Sequence, residues 1–270
     1  MRFSKQAQTR DEASQSDLDS RLFGAERTSW QPGFPEVILH GRLSDATAHP
    51  DYEAAKSGDD AAALRLISEV LSKEAIGRIK ALIGDRDAIA LGVHAEEATG
   101  RNAIPQAMAD VLAKVLGIEV SVDIVQAEKV GRTAQDGFGR LANQPSFDGP
   151  VRTDKPYLIM DDTLTQGGTL ANLKGHIEHR GGEVLAATAL TGKQYSAKIA
   201  TDSSTLEKLR EQYDGTGLEA WWQNRFGYGF DSLTESEARY LLRAKDADKI
   251  RDRVAASGHA SSARGEHESA

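Results

Sequence analysis

The run YLIMDDTLTQGGTL, Tyr157 to Leu170, constrains this chain more than any other. Tyr157 to Met160 is a short apolar run of the kind that forms a buried parallel strand. It stops at Asp161 and Asp162, which cannot stay buried without partners, so the chain is expected to surface there, at the strand's C-terminal end. Thr165, Gln166, Gly167, Gly168 and Thr169 then make a tight polar turn. Its glycines permit positive backbone angles and bring main-chain N–H groups close to a ligand. Leu170, Leu173 and Ile177 fall at helical spacing, and Gly181-Gly182 supplies the stop. A helix N-terminus therefore points into the loop. Its open N–H groups and the positive end of the helix dipole favour an anion, the dipole alone giving roughly 0.3–1 kcal/mol in exposed settings. A phosphate monoester suits such a site.

Other phosphate motifs fail on these residues. A P-loop needs a lysine after its last glycine, but Thr169 follows Gly168; the D-x-D-x-T pattern fails because Asp161 and Asp162 are adjacent; no G-x-G-x-x-G is present. An apolar strand, an acidic pair, two variable residues and then Thr-Gln-Gly-Gly-Thr resembles the phosphoribosyl pyrophosphate (PRPP) signature of the type I phosphoribosyltransferases. The resemblance implies that Thr165, Gln166, Gly167, Gly168 and Thr169 bind the 5′-phosphate, with Thr163 also among the substrate-binding positions. It implies that Asp161 and Asp162 face the ribose 2′- and 3′-hydroxyls. Sugar hydroxyls are donors, carboxylates are acceptors, and negative charge stabilises the oxocarbenium-like centre that forms as pyrophosphate leaves. Read without the family, the same residues are an acidic strand end followed by an ordinary glycine turn. One position departs from the pattern: Gln166 stands where the family usually carries a small hydroxyl residue. Its longer amide can donate to a phosphate, and it can also crowd the site or change which ligand is preferred.

At 270 residues with 39% hydrophobic content, the chain suits one domain of ordinary or large size with appended segments. The absence of cysteine excludes a disulfide framework, a thiolate zinc site and a cysteine nucleophile. No apolar run approaches the ~20 residues of a membrane span, and MRFSKQAQTRDEASQSD lacks the apolar core of a signal peptide, so the expected location is cytoplasmic, with no membrane partner. A net charge of −8, from 33 basic and 41 acidic residues, argues against a general nucleic-acid surface. An anionic substrate must then meet local basic groups or a metal.

Residues 1–57 read as a polar tail, Met1 to about Ser20, followed by an irregular arm holding Trp30, Pro32, Pro35 and Pro50. Residues 58–200 read as the core. It opens with helices over Asp59–Leu71 and Lys73–Ile83, a buried strand over Ala88–Val93 and a helix over Asn102–Leu116. Glu119–Gln126 alternates as a strand and leads into a long aperiodic polar segment that ends at Lys155, followed by the motif and then a strand over Glu183–Leu190. Residues 201–254 read as a C-terminal helical extension, a candidate for the family's variable hood, and 255–270 as a disordered tail. In the extension, Trp221, Trp222, Phe226, Tyr228 and Phe230 either anchor a helix to the core or stack on a base. TESE, Thr234–Glu237, is a capping box that starts a final helix through Leu242.

The resemblance extends to further candidates. In the family the first strand-to-helix loop embraces pyrophosphate, which implicates His94, Thr99, Gly100, Arg101 and Asn102. His94 is equally readable as a loop histidine bonded to backbone, and Glu96 and Glu97 as solvated charges or holders of magnesium through water. The Gly-Arg-Asn run also resembles the competence-protein F branch, although Arg101 replaces its usual aromatic. The family's mobile loop, which closes over substrate and excludes water, corresponds to the polar segment; Lys129, Arg132 and Arg140 would carry charge to pyrophosphate or remain surface cations. Lys193 and Tyr195 follow a strand end where some members touch the base.

The expected fold is α/β, a type I phosphoribosyltransferase-like central parallel sheet flanked by helices, with the arm and the helical extension appended. The resemblance implies transfer of the 5-phosphoribosyl group from PRPP to a nitrogen acceptor, a nucleobase, with release of pyrophosphate. Mg²⁺ would be held indirectly by Asp161 and Asp162 through substrate or water, and a homodimer is among the expectations. Two other readings stay open. One is a non-catalytic PRPP- or nucleotide-binding regulator; the other, resting on the competence-like run, is an accessory protein of DNA uptake or transfer.

Overall fold

A computed structural model of the chain describes residues 26–94, 96–97, 100–127 and 136–267. Five strands form one all-parallel sheet: β1 (Ile38–Arg42), β2 (Ile89–Gly92), β3 (Glu119–Ser121), β4 (Tyr157–Leu164) and β5 (Val184–Gly192), in the order β1-β5-β4-β2-β3. The fold class is α/β, a parallel sheet flanked by helices. The helices in chain order are α1 (Leu43–Thr47), α2 (Tyr52–Lys56), α3 (Asp60–Val70), α4 (Lys73–Ile83), α5 (Ile104–Leu116), α6 (Gly137–Ala142) and α7 (Gly168–His179). They continue with α8 (Ser203–Gln212), α9 (Leu218–Phe226), α10 (Glu235–Ala244) and α11 (Ala247–His267).

Alternation along the strands sets the two faces. In β4, Leu158 and Met160 join Leu66, Ile67, Ile79, Ile104 and Met108 in a core under α3, α4 and α5. Tyr157 and Ile159 join Leu170, Leu173 and Ile177 under α7 on the other face. A third apolar cluster lies in the C-terminal helices, with Trp222 and Phe230 fully buried beside Phe138, Leu141, Leu241 and Ile250. The aromatic run is thus a core that anchors these helices.

The structure corrects the sequence reading in several places. The expected irregular arm contains β1 and two short helices; Val37 and Ile38 are buried once β5 pairs with β1, and Thr188 Oγ1 donates to the Ile38 carbonyl at 2.7 Å. The sheet strand at Glu119 stops at Ser121, because Asp123 N turns back to Ser121 Oγ (3.2 Å). Val125–Gln126 instead pairs antiparallel with Phe147–Asp148 in a separate ribbon. The long polar segment is partly ordered by burial: α6 sends Phe138 and Leu141 into the C-terminal cluster. Where a disordered tail is expected from Ala255, α11 runs on to His267, set by buried Ile250 and Val254 in its first half. The expected tail over Met1–Ser20 lies outside the described residues.

Candidate functional site

β4 does not end at the acidic pair. Asp161 pairs with Ala189, Thr163 with Thr191 and Leu164 with Gly192, so the carboxylates sit inside the last turnable stretch of a strand. Asp162 continues the face of Leu158 and Met160 and is only 8% exposed. Such a group needs partners, and it has them: Lys56 Nζ at the end of α2 and Asn102 Nδ2 before α5 both donate to Asp162 Oδ2 at 3.0 Å. Asn102 Oδ1 in turn accepts from Ile104 N at 3.2 Å, so α5 begins at Ile104, two residues after the expected start at Asn102. Ala103 N donates to the Ala55 carbonyl at 3.0 Å, so α2 and this loop are clasped together.

The two carboxyls titrate as a pair. Burial, the negative charge of Asp162 and a hydrogen bond to it hold the Asp161 carboxyl well above the usual carboxylate range. Burial pushes Asp162 up as well, but Lys56, Asp161 and Asn102 outweigh it and hold Asp162 below that range. Of the two carboxyls, Asp161 therefore holds a proton more readily, and Asp162, beside the Lys56 ammonium, holds one less readily.

Beyond Leu164 the chain turns through Thr165 and Gln166 to Gly167, whose φ of 82° caps the start of α7. A Cβ there would lie 3.1 Å from Ile199 Cδ1 and 3.4 Å from Thr234 Cγ2, and the left-handed backbone adds to the requirement for glycine. No acidic residue occupies the first turn of α7, which leaves its positive end uncompensated by charge. Thr163, Thr165, Gln166 and Thr169 are half-buried, while Gly167 and Gly168 are buried. The Gln166 carbonyl accepts from Thr234 Oγ1 at 2.6 Å, and its side-chain Oε1 is buried with no hydrogen-bond partner among the described residues.

The structure brings several further candidates to this edge. Val93 N donates to the Met160 carbonyl at 2.8 Å, which sets the first loop, beginning at half-buried His94, level with the acidic pair. The His94 carbonyl accepts from Gln126 N, so its backbone is tied to the ribbon. Gly100 and Arg101 pair with Glu97 and Glu96, and the Arg101 side chain is exposed. Lys193 N donates to the Leu164 carbonyl at 3.1 Å, which puts the end of β5 beside the Thr165–Thr169 loop; its ammonium lies 5.8 Å from the ring of exposed Tyr195. Arg140 belongs to α6, in the C-terminal packing, rather than to an aperiodic loop. Thr99, Lys129 and Arg132 lie outside the described residues.

Two residues that sequence reasoning missed hold the site. Lys56 lies in the expected irregular arm, where no periodicity marks it. Thr234 was legible as a helix cap, but nothing in the sequence links it to Gln166.

No family model matches the chain. It is 45% identical over 232 residues to Protein TraN of Escherichia coli, covering 86% of this chain and 51% of that protein. It is 50% identical over 151 residues to an uncharacterized protein of Haemophilus influenzae, covering 56% of this chain and 34% of that protein. It is 30% identical over 145 residues to transcriptional regulator GfcR of Methanobrevibacter smithii, covering 53% of this chain and 64% of that protein. The chain thus spans about half the length of the first curated relative and a third of the second. Among solved structures, a hypoxanthine phosphoribosyltransferase from Staphylococcus aureus aligns with 46% of this chain and 62% of its own, at 21% identity and a TM-score of 0.32. A purine phosphoribosyltransferase from Pyrococcus horikoshii aligns with 46% and 73%, at 22% identity and a TM-score of 0.31.

Proposed function

We propose that the chain binds PRPP at the C-terminal edge of β4 and transfers its 5-phosphoribosyl group to a nitrogen acceptor, a nucleobase, releasing pyrophosphate. The observation that carries this reading is the juxtaposition of an acidic pair, bonded to Lys56 and Asn102, with a glycine-capped helix N-terminus, six residues apart on one strand-loop-helix. A ribose 5-phosphate presents a diol at one end and a dianion at the other, which matches the two halves. The main-chain N–H groups of the loop hold the phosphate, with the hydroxyls of Thr165 and Thr169 as further donors. Asp162 accepts from a ribose hydroxyl, and Asp161 keeps or gives up its proton to suit the second. The acceptor nitrogen then forms a bond to C1 as the C1–O bond breaks; pyrophosphate leaves with the electron pair, and the acceptor's N–H proton passes to the departing pyrophosphate or to solvent. The Asp162 charge stabilises the cationic carbon between these events. Lys56, displaced from Asp162 by the diol, supplies an ammonium for the diphosphate.

Among the described residues no group of three or more His, Asp and Glu is gathered to hold a metal. With Asp162 engaged by Lys56 and Asn102, Asp161 and Asp162 would hold a Mg²⁺ indirectly, through water or substrate, rather than as a direct ligand set. When bound, that ion neutralises the charge that develops on pyrophosphate. No helix among the described residues is long and apolar enough to cross a membrane. The regulator reading has its own support: one curated relative, 30% identical, is named a transcriptional regulator, and a resting Lys56–Asp162 pair occupies the acceptor a ribose would use.

A panel of purines, pyrimidines and related acceptors with Mg-PRPP, scored by pyrophosphate release, tests the transferase. Release with at least one base is expected. Silence across the panel with PRPP still binding calorimetrically replaces the transferase by the regulator.

A further inference from the structure

The C-terminal helices reach the phosphate loop through Thr234, the cap of α10. Thr234 is fully buried and does three things at once. Its hydroxyl donates to the Gln166 carbonyl at 2.6 Å, its Oγ1 accepts from Glu237 N at 3.2 Å as the cap of α10, and its Cγ2 borders Gly167. Glu237 closes the capping box by accepting from Thr234 N at 2.9 Å. The same carboxylate is gripped by Arg27 through two contacts, 2.6 and 3.0 Å, and Arg27 Nε also donates to Asn172 Oδ1 on the first turns of α7. Loop, α7, α10 and the segment at Arg27 are thereby joined in one buried polar network.

The loop's geometry follows from this. Gln166 and Gly167 are the residues whose carbonyl and φ aim the amides at the start of α7, and a loop built around a positive φ has a competing extended state. A hydrogen bond on the Gln166 carbonyl, from a hydroxyl itself pinned by a helix cap, selects one of these states before a ligand arrives. We infer that Thr234 is a positioning residue for phosphate binding, and that the C-terminal helices serve the site as the rear support of its phosphate loop. This inference rests on the ribose 5-phosphate reading. It adds a role for the extension different from a hood over the base, and it names the atom through which that role is exerted. Binding and support are reciprocal: a phosphate held by the loop must tighten the cap of α10 by the factor by which the cap tightens the phosphate.

The test is calorimetric titration of ribose 5-phosphate into wild type, Thr234→Val, Thr234→Ser and Glu237→Gln, each shown folded by circular dichroism. Thr234→Val keeps the shape and loses the donor, so affinity falls about tenfold; Thr234→Ser restores the hydroxyl and stays within about twofold of wild type. Glu237→Gln weakens the ion pair and lowers the melting temperature but leaves the Thr234–Gln166 bond, so affinity is kept. Wild-type affinity in Thr234→Val, or an equal loss in Glu237→Gln, overturns the inference. Amide hydrogen exchange on the wild type covers the case in which Thr234→Val does not fold. Ribose 5-phosphate should slow exchange in the first turn of α10 together with residues 166–169, and protection confined to the loop overturns the inference. A wild type that binds no ribose 5-phosphate removes the functional reading itself and this inference with it, whereas a binding wild type with an indifferent Thr234 removes only the inference.

Discussion

Two buried ion pairs fasten the N-terminal segment to the rest of the molecule, and they differ in what surrounds them. Arg27–Glu237 is sealed, with side chains 0% and 2% exposed, and Asn172, Ser232 and Thr234 add further hydrogen bonds to it. Lys56–Asp162 is a little open, at 14% and 10%, and its carboxylate belongs to the acidic pair near the C-terminal end of β4. A sealed and multiply bonded pair specifies one arrangement and is costly to break. A pair at a strand end, with a titrating neighbour, can exchange its partner for a ligand. Under the proposed function, the same chemistry serves as scaffold in one place and as exchangeable site in the other.

The sharpest way to break that comparison is Glu237→Ala, which leaves the Arg27 guanidinium buried without its carboxylate. A loss of about 3–5 kcal/mol in urea-unfolding stability is expected. A loss below about 1 kcal/mol would make the two pairs alike. Lys56→Met is the counterpart, and about 1–2 kcal/mol is expected at pH 7, since Asn102 and Asp161 still hold Asp162. Its pH dependence has a definite sign. Asp162 is held below its unfolded value near ~3.9, so its stabilisation is present above that pH and fades as pH falls through the lowered value. The gap between wild type and Lys56→Met should therefore be widest near neutrality and close in acid; a gap that widens on acidification would contradict the assigned charge states. Lys193→Ala, at an exposed lysine beside the loop, should leave urea stability within about 0.5 kcal/mol and shift acceptor KM only a few-fold. A collapse of kcat with KM unchanged would move Lys193 from base contact into the chemical step.

The strand-loop-helix of the candidate site was legible because its signals are local. Apolar residues 157–160, the glycine at a positive φ and the apolar period of α7 all lie within one strand-loop-helix, and the structure keeps them in that order. The same strength misled the reading of the strand's end: an acidic pair looks like a surface signal, yet Asp162 is buried because two distant residues, Lys56 and Asn102, reach it. Partners supplied from 106 and 60 positions away leave no mark on local pattern. β1 was missed for a related reason. Its five residues include His40, Gly41 and Arg42 and become a strand only when β5 covers one edge. Conversely, Glu119–Gln126 has an alternating pattern that outlasts the strand, because the turn at Ser121–Asp123 redirects the chain to a partner near Phe147. The Thr234 cap was readable from TESE alone, since capping is a four-residue device, while its bond to Gln166 is tertiary.

The central claim is that Asp161 and Asp162 hold the ribose of PRPP while the Thr165–Thr169 loop holds its phosphate. Calorimetric titration of Mg-PRPP into the wild type and into the double variant Asp161→Asn with Asp162→Asn tests it most directly. Saturable binding by the wild type and a loss of about a hundredfold or more in the folded double variant are expected, since the carboxylate charge that accepts from the diol is gone and each amide replaces one acceptor oxygen with a donor. Binding of equal strength in the two proteins would contradict the site.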